Sequence, residues 1–312
     1  MDKKLISVAV PVYNEQDNLR LLYERLTRVM LQLDGYDYEI VFYDDGSTDD
    51  SRSVIEELCR SDSKVKAVFF KRNFGYSKNV FYSVQQSKGD AVILIHADMQ
   101  NPPEEIPKFI KEWEKGSQVV MGVKYKSREN RLMFIIRSFF YLILNIVFGL
   151  HLVPHATEFG LFDKSFVDVL KSVKTNRPFL RGLVMQYAKD PAYVQYIQDR
   201  RKAGKSWFNF SKLYSFAIDG VVGYSRILPR RLIIASFIGA ILTVLEYFIF
   251  CLPRIIKAGR YLTFSNATFI HAAVFLLFVL LATVSIFAEY IIAANDNSET
   301  KPLVVEEKRI NY

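Results

Sequence analysis

Short apolar runs rich in β-branched and aromatic residues punctuate the first third of the chain, at Ile6–Val12, Tyr38–Tyr43, Val65–Phe70, Ala91–Ile95 and Val119–Val123. Helical patterns fill the gaps, over about Glu15–Leu33, Asp49–Cys59, Tyr76–Ser87 and Pro103–Lys115. Near-continuous apolar strands alternating with helices predict an α/β unit, a mostly parallel sheet covered on both faces. Ligands of such sheets bind beyond the carboxyl ends of the strands.

Further along, the apolar pattern lengthens. Leu232–Leu252 and Phe269–Ala293 each carry a single charge, Glu246 and Glu289 respectively. Each run exceeds the roughly 20 residues that span a bilayer core. Together they predict a transmembrane hairpin closed by Pro253–Thr268. Lys202, Lys205, Lys212, Arg226, Arg230 and Arg231 precede it, which places that flank in the cytoplasm. An acid inside a span is costly, so Glu246 and Glu289 are expected to face another helix or an interface. A third run, Leu132–Leu150, is interrupted by Arg137, Ser138 and Asn145. It reads either as a further span or as a helix lying in the headgroup plane, with Lys124, Lys126, Arg128, Arg131 and Arg137 reaching phosphates. Trp207–Val222 is a second amphipathic stretch expected at the surface. The N-terminal run is short and leads straight into polar residues, unlike a signal peptide. The expected organisation is therefore 1–131 as the α/β unit, 132–230 as an acceptor-side region, 231–294 as the hairpin and 295–312 as a tail. Both ends would be cytoplasmic, on a multi-pass protein of the inner (plasma) membrane.

Composition adds little to the fold and more to the chemistry. The chain of 312 residues holds 41 Lys+Arg against 33 Asp+Glu, for a net charge of +8. With only Cys59 and Cys251, neither a disulfide scaffold nor a cysteine-based zinc site is expected. A basic balance suits nucleic acid, anionic membrane or phosphorylated substrates. Here the cations gather around the membrane-associated segments and no stacking platform for bases is evident, so nucleic-acid binding is not expected.

Polar residues cluster where the strands end. They read Pro11-Val12-Tyr13-Asn14-Glu15, then Asp44-Asp45-Gly46-Ser47-Thr48-Asp49, then Arg72-Asn73-Phe74-Gly75, then His96-Ala97-Asp98-Met99-Gln100-Asn101. Taken singly, each has an ordinary structural explanation as a turn, a helix cap or a satisfied strand-end histidine. Their joint placement after successive strands is what points to a site. Carboxylates collected at one rim are costly unless a cation or a hydrogen-bonding ligand compensates them. His96, Asp98 and Gln100, at i, i+2 and i+4, can converge on one Mg2+ or Mn2+ if the segment stays extended. Neither GxGxxG nor GxxxxGK[ST] occurs, which excludes the familiar glycine-rich dinucleotide and P-loop sites.

These clusters, together with Pro102-Pro103, Phe179-Leu180-Arg181-Gly182, Arg201-Lys202-Ala203-Gly204-Lys205-Ser206 and Glu289-Tyr290, occur in an order that resembles the family-2 glycosyltransferases of the dolichyl-phosphate mannose synthase and bactoprenol glucosyltransferase type. The resemblance implies a glycosyltransferase A-type fold and transfer of a sugar, UDP-linked glucose or similar, onto a polyprenyl phosphate such as undecaprenyl phosphate. It implies that Pro11, Tyr13, Asn14, Glu15, Asp44, Asp45, Asn73 and Ala97 bind the nucleotide sugar. Asp98 and Gln100, with His96, would hold the metal bridging its diphosphate. Asp98, Glu158 and Arg201 would form the catalytic set, and Arg128, Arg131, Arg201 and Lys205 would meet the acceptor phosphate. The resemblance also favours the headgroup-plane reading of Leu132–Leu150, since a single span would separate Glu158 and Arg201 from Asp98. A homo-oligomer is expected.

Departures from the family pattern are specific. His96 stands where the first Asp of Asp-x-Asp is usual. Thr157-Glu158-Phe159-Gly160 replaces Gly-Asp-Phe-Arg, so that arginine is missing, and Trp207 occupies a position that is usually lysine. Single-step displacement at the anomeric carbon would invert its configuration. A membrane-anchored transferase with a hydroxyl acceptor, which would need Glu158 as a base, and an inactive membrane scaffold are the competing readings.

Overall fold

The computed structural model describes residues 3–127, 153–199 and 302–312, with isolated helical positions between 145 and 294. One mixed sheet of eight strands organises them, in the order β7-β5-β6-β4-β1-β2-β3-β8. β1 (Lys4–Val12), β2 (Tyr36–Asp44), β3 (Val65–Phe70) and β4 (Ala91–Leu94) run parallel. β6 (Ala156–Asp163) lies antiparallel between β4 and β5 (Val119–Ser127). β7 (Ala192–Gln198) closes one edge parallel to β5, and β8 (Glu306–Ile310) closes the other antiparallel to β3. The expected strands form, and the α/β class holds. Three further strands make the sheet mixed, and the tail expected at 295–312 contributes β8 from within it.

Side-chain alternation along the strands divides the core in two. On one face Ile6, Val8, Val10 and Val12 of β1 meet Leu19, Leu22 and Leu26 of α1 (Gln16–Met30). Ile55 of α2 (Ser51–Ser61) and Phe109 and Trp113 of α4 (Ile106–Glu114) complete that layer. On the other, Ala9 and Val41 meet Val80 and Val84 of α3 (Tyr76–Gln86), Phe166 and Leu170 of α5 (Lys164–Ser172) and Leu183 of α6 (Leu180–Tyr187). Leu19, Leu22 and Leu26 recur at helical spacing and are fully buried. Each contributes about 1.5–3 kcal/mol of burial.

Strand lengths differ at the functional rim. β1 stays paired with β2 as far as Val12 and Asp44, whereas its pairing with β4 stops at Ala9 and Leu94. Val12 O accepts from Asp45 N on the β2 side, so Pro11, one residue back, turns its backbone towards the side that β4 has left. A proline lacking N–H fits there without breaking the ladder. The step leaves a recess between the ends of β1 and β4.

Among the described residues no helix is long and apolar enough to cross a membrane. The runs 232–252 and 269–293, and the stretch 132–150, lie outside the described residues except for isolated positions; 207–222 lies wholly outside them.

Candidate active site

All four polar clusters come together at the carboxyl rim of the parallel strands. The start of the antiparallel β6 and the end of β7 lie at the same edge. Asn14, in the left-handed region at φ 55°, sews the first cluster to the second. Its Oδ1 accepts from Thr48 N at 2.8 Å, and its own N–H donates to Ser47 Oγ at 2.9 Å. Glu15 N donates to Ser51 Oγ at 2.9 Å, while the Glu15 carboxylate accepts from Asn18 Nδ2 at 2.6 Å.

The second cluster is tied in turn to the third. Asp45 accepts from Phe74 N at 2.7 Å and Gly75 N at 2.9 Å, one amide on each carboxylate oxygen. Burial pushes its pKa up to about 6, against the pull of those two amides. Asp44 is likewise raised by burial, opposed by its bonds from Ser47. Gly46 allows the two loops to meet. It sits at φ 67°, and a Cβ there would lie 2.7 Å from Arg72 C, so any other residue would push the loops apart. Asp44 and Asp45 thus sit at the expected place, but Asp45 spends both oxygens on the loop that carries Asn73. Tyr13 and Asn73 are half-buried at this rim, and Pro11 and Ala97 are buried.

The fourth cluster is bent. Ala97 and Asp98 form a turn, Met99 takes φ 60° and is fully buried, and Asp98 Oδ1 accepts from Gln100 N at 3.1 Å. The extended geometry that would align His96, Asp98 and Gln100 is therefore absent. His96 Nε2 lies 3.2 Å from the Tyr76 hydroxyl, with the rings 5.5 Å apart. Tyr76 also donates to Glu158 Oε2 at 3.3 Å, and Arg181 Nε lies 2.8 Å from Glu158 Oε1. Burial alone would raise the Glu158 carboxyl, but the charge of Arg181, aided by His96 and Lys124, holds it below the usual carboxylate range. Burial lowers the His96 pKa against the opposing charges of Asp98 and Glu158. Gln100 Oε1 accepts from Gln198 Nε2 at 2.8 Å, and Asn101 Nδ2 donates to Tyr196 Oη at 3.0 Å.

Two of the family departures have a structural reason. At Gly160 a Cβ would come 2.3 Å from Val120 O, so β6 cannot carry an arginine there while paired this closely with β5. Arg181, at the start of α6, supplies a guanidinium to the acid instead. Thr157, where glycine is usual, donates to Gly122 O at 3.1 Å and contacts Tyr196 Oη at 3.3 Å. Sequence reasoning did not assign Tyr76, Gln198 or Tyr196, nor the partnership of Arg181 with Glu158. The alternation of Val194, Tyr196 and Gln198 with exposed neighbours was the available strand signal for β7.

Among the described residues no group of three or more His, Cys, Asp and Glu side chains is placed to hold a metal. Asp98 is half-buried and its Oδ2 takes no protein hydrogen bond among those residues. One carboxylate oxygen suits Mg2+ or Mn2+, ions that draw most of their ligands from substrate phosphate and water. The residues present fit such an ion on those terms. Arg128, Arg131, Arg201 and Lys205 lie outside the described residues.

The sheet with its stepped carboxyl rim, the acid–guanidinium pair of Glu158 and Arg181 and the open carboxylate of Asp98 place a charged recess at the strand ends of an α/β fold. The pattern of glycosyl transferase family 2 matches residues 7–170, and the chain belongs to that family. It is 32% identical to the putative glycosyltransferase CsbB of Bacillus subtilis, over 93% of this chain and 88% of that one. It is 31% identical to the bactoprenol glucosyl transferase of Shigella phage SfX, over 78% of each. The fold matches glucosyl-3-phosphoglycerate synthase of Mycobacterium tuberculosis, solved with Mn2+, UDP and glucosyl-3-phosphoglycerate. That match has a TM-score of 0.51 at 17% identity, covering 70% of this chain and 78% of that one.

Proposed function

We propose that the protein is a membrane-anchored, inverting glycosyltransferase that moves a sugar from a UDP-glucose-type donor onto polyprenyl phosphate at the cytoplasmic face. The observation that carries the acceptor class is the Glu158–Arg181 ion pair. A carboxylate held below its ordinary range is a weak base, poorly suited to deprotonating a hydroxyl. A lipid phosphate is already anionic and needs positioning more than deprotonation. Arg181 also borders an apolar recess with Met121, Val153, Met185 and Tyr193, a cation beside greasy surface. Relatives named bactoprenol glucosyl transferase support the same acceptor.

The sheet supports the membrane reading. β5 and β6 are hydrogen-bonded neighbours, so a single crossing by 132–150 would pull these paired strands to opposite sides. A helix lying in the headgroup plane leaves them together. β8 shares the sheet with β7, so the chain between 199 and 302 must begin and end on one side, as an even number of crossings requires. Leu276, Leu280, Val284, Phe287 and Ile291 follow helical spacing, and each leaves 49–68% of its surface uncovered. An uncovered apolar face of that kind suits hydrocarbon.

In the reaction, the rim clusters would seat the nucleoside and ribose. A divalent ion at Asp98 would neutralise charge growing on the leaving diphosphate. Arg181 and the basic residues Arg128, Arg131, Arg201 and Lys205 would orient the acceptor phosphate. The full chain in detergent, given undecaprenyl phosphate, Mg2+ or Mn2+ and a panel of labelled nucleotide sugars, should form a lipid-linked sugar from one donor. No lipid product from any donor would refute the proposal.

A further inference from the structure

Resting on the donor reading above, we infer that Glu307 and Arg52 are positioning residues for the donor's nucleoside, through which β8 holds the loops that the nucleoside would enter. β8 follows both long apolar runs in sequence, yet it lies along β3. The register pairs Ala67 with Ile310, Val68 with Arg309, Phe69 with Lys308 and Phe70 with Glu306. Glu307 is skipped, which makes it the extra residue of a β-bulge. A bulge re-aims a side chain out of the ordinary strand alternation. Glu306 and Arg309 both turn to α3, where Glu306 accepts from the Tyr82 hydroxyl and Arg309 donates to Gln86 Oε1 at 3.1 Å. Glu307 and Lys308, although consecutive, both turn to α2. Lys308 Nζ donates to Glu56 Oε1 at 2.9 Å, and Glu307 accepts from both terminal nitrogens of Arg52, at 3.0 and 3.2 Å.

A two-pronged pair fixes the plane of a guanidinium as well as its place, and Arg52 also lies over the Phe69 ring at 4.8 Å. Arg52 stands in the first turn of α2, beside Ser51, whose hydroxyl accepts from Glu15 N at 2.9 Å. Burial raises the Asp44 carboxyl, and the charge of Arg52 works against that rise. The same strand reaches the neighbouring loop through Val305, whose carbonyl accepts from Lys71 N at 2.9 Å. Lys71 opens the segment whose Phe74 and Gly75 amides bind Asp45. Residues 305 and 307 thus grip, from the sheet edge, both loops that carry Asp44, Asp45 and Asn73. Arg52 and Glu307 leave 38% and 45% of their side chains exposed, and a pair so open adds little to stability. What it supplies is placement. Asn311, at the other end of β8, bonds Cys59 O and Val65 O near the amino end of β3, away from the rim.

UDP binding to the full chain in detergent is measured by calorimetry, and donor KM and kcat from lipid-linked product with the donor that the parent uses. Glu307→Gln should weaken UDP and raise donor KM by about fivefold, with kcat within about twofold of the parent. Arg52→Gln should weaken UDP by at least as much. Adding Glu307→Gln to it should change nothing further, because Glu307 acts through Arg52. Asn311→Ala, which loosens the same strand at its other end, should leave UDP affinity at the parent's value. Parent-like UDP affinity in Glu307→Gln overturns the inference, as do additive losses in the double variant or an equal loss in Asn311→Ala. Each of these results leaves the transferase reading standing. A parent that binds no UDP overturns the donor reading and the inference with it.

Discussion

The two halves of the rim are built differently. Under β1, β2 and β3, acidic and amide side chains are spent on backbone: Asn14 on Thr48, Asp45 on Phe74 and Gly75, Asp44 on Ser47. Under β4, β6 and β7, side chains are spent on one another: His96, Tyr76, Glu158 and Arg181 in one chain, Gln100 and Gln198 in another. The first half is a frame that ties the loops after β1, β2 and β3 to one another. The second is a charged device whose members depend on each other.

Substitution should expose that difference, starting where the effect is greatest. Asp98→Asn should cost about 10³-fold in lipid glycosylation at unchanged melting temperature, because the amide oxygen keeps the turn bond from Gln100 N and only charge stabilisation is lost. Arg181→Ala should act on both activity and stability. It leaves Glu158 buried without its cation, and chemical denaturation should show a loss of about 3 kcal/mol. If Arg181→Ala were as stable as the parent, the second half would not be the interdependent device described.

The frame is tested by pH. Asp45 has its pKa raised by folding to about 6, so its contribution to stability is fully present below about pH 4 and is lost as pH rises through about 6. Relative to Asp45→Asn, the parent should therefore lose about 2–3 kcal/mol of stability between pH 4 and pH 7. A parallel pair of stability curves would contradict the burial assigned to Asp45. The smallest effect is expected far from the rim. Asn311 Nδ2 donates to Cys59 O and Val65 O, each at 2.8 Å, and Asn311→Ala should cost about 1 kcal/mol without changing activity.

The frame was legible in the sequence because its contacts are made by short motifs that follow their own strands. Asp44-Asp45-Gly46-Ser47 and Asn14 announce turns and caps wherever they stand, and their convergence follows from parallel strands alone. The charged half was not. Glu158 and Arg181 are separated by a helix, Tyr76 and Glu158 by 82 residues, and only β6 inserted between β4 and β5 brings them together. Reading His96, Asp98 and Gln100 as one set assumed an extended segment, and a left-handed Met99, rare for a residue with a side chain, is not announced by local pattern. β8 was missed because two acids followed by two bases and a single isoleucine, Glu306–Ile310, look like a solvated tail. Its cations and acids instead pair with Arg52, Glu56 and Gln86 along the edge.

The central claim is that the acceptor is an anionic lipid phosphate, not a hydroxyl. Undecaprenyl phosphate and undecaprenol offered together to the full chain, with donor and Mn2+, test it most directly when the products are weighed by mass spectrometry. Hexose is expected on the phosphate and none on the alcohol. Hexose on the alcohol, or equal use of both, would contradict the claim.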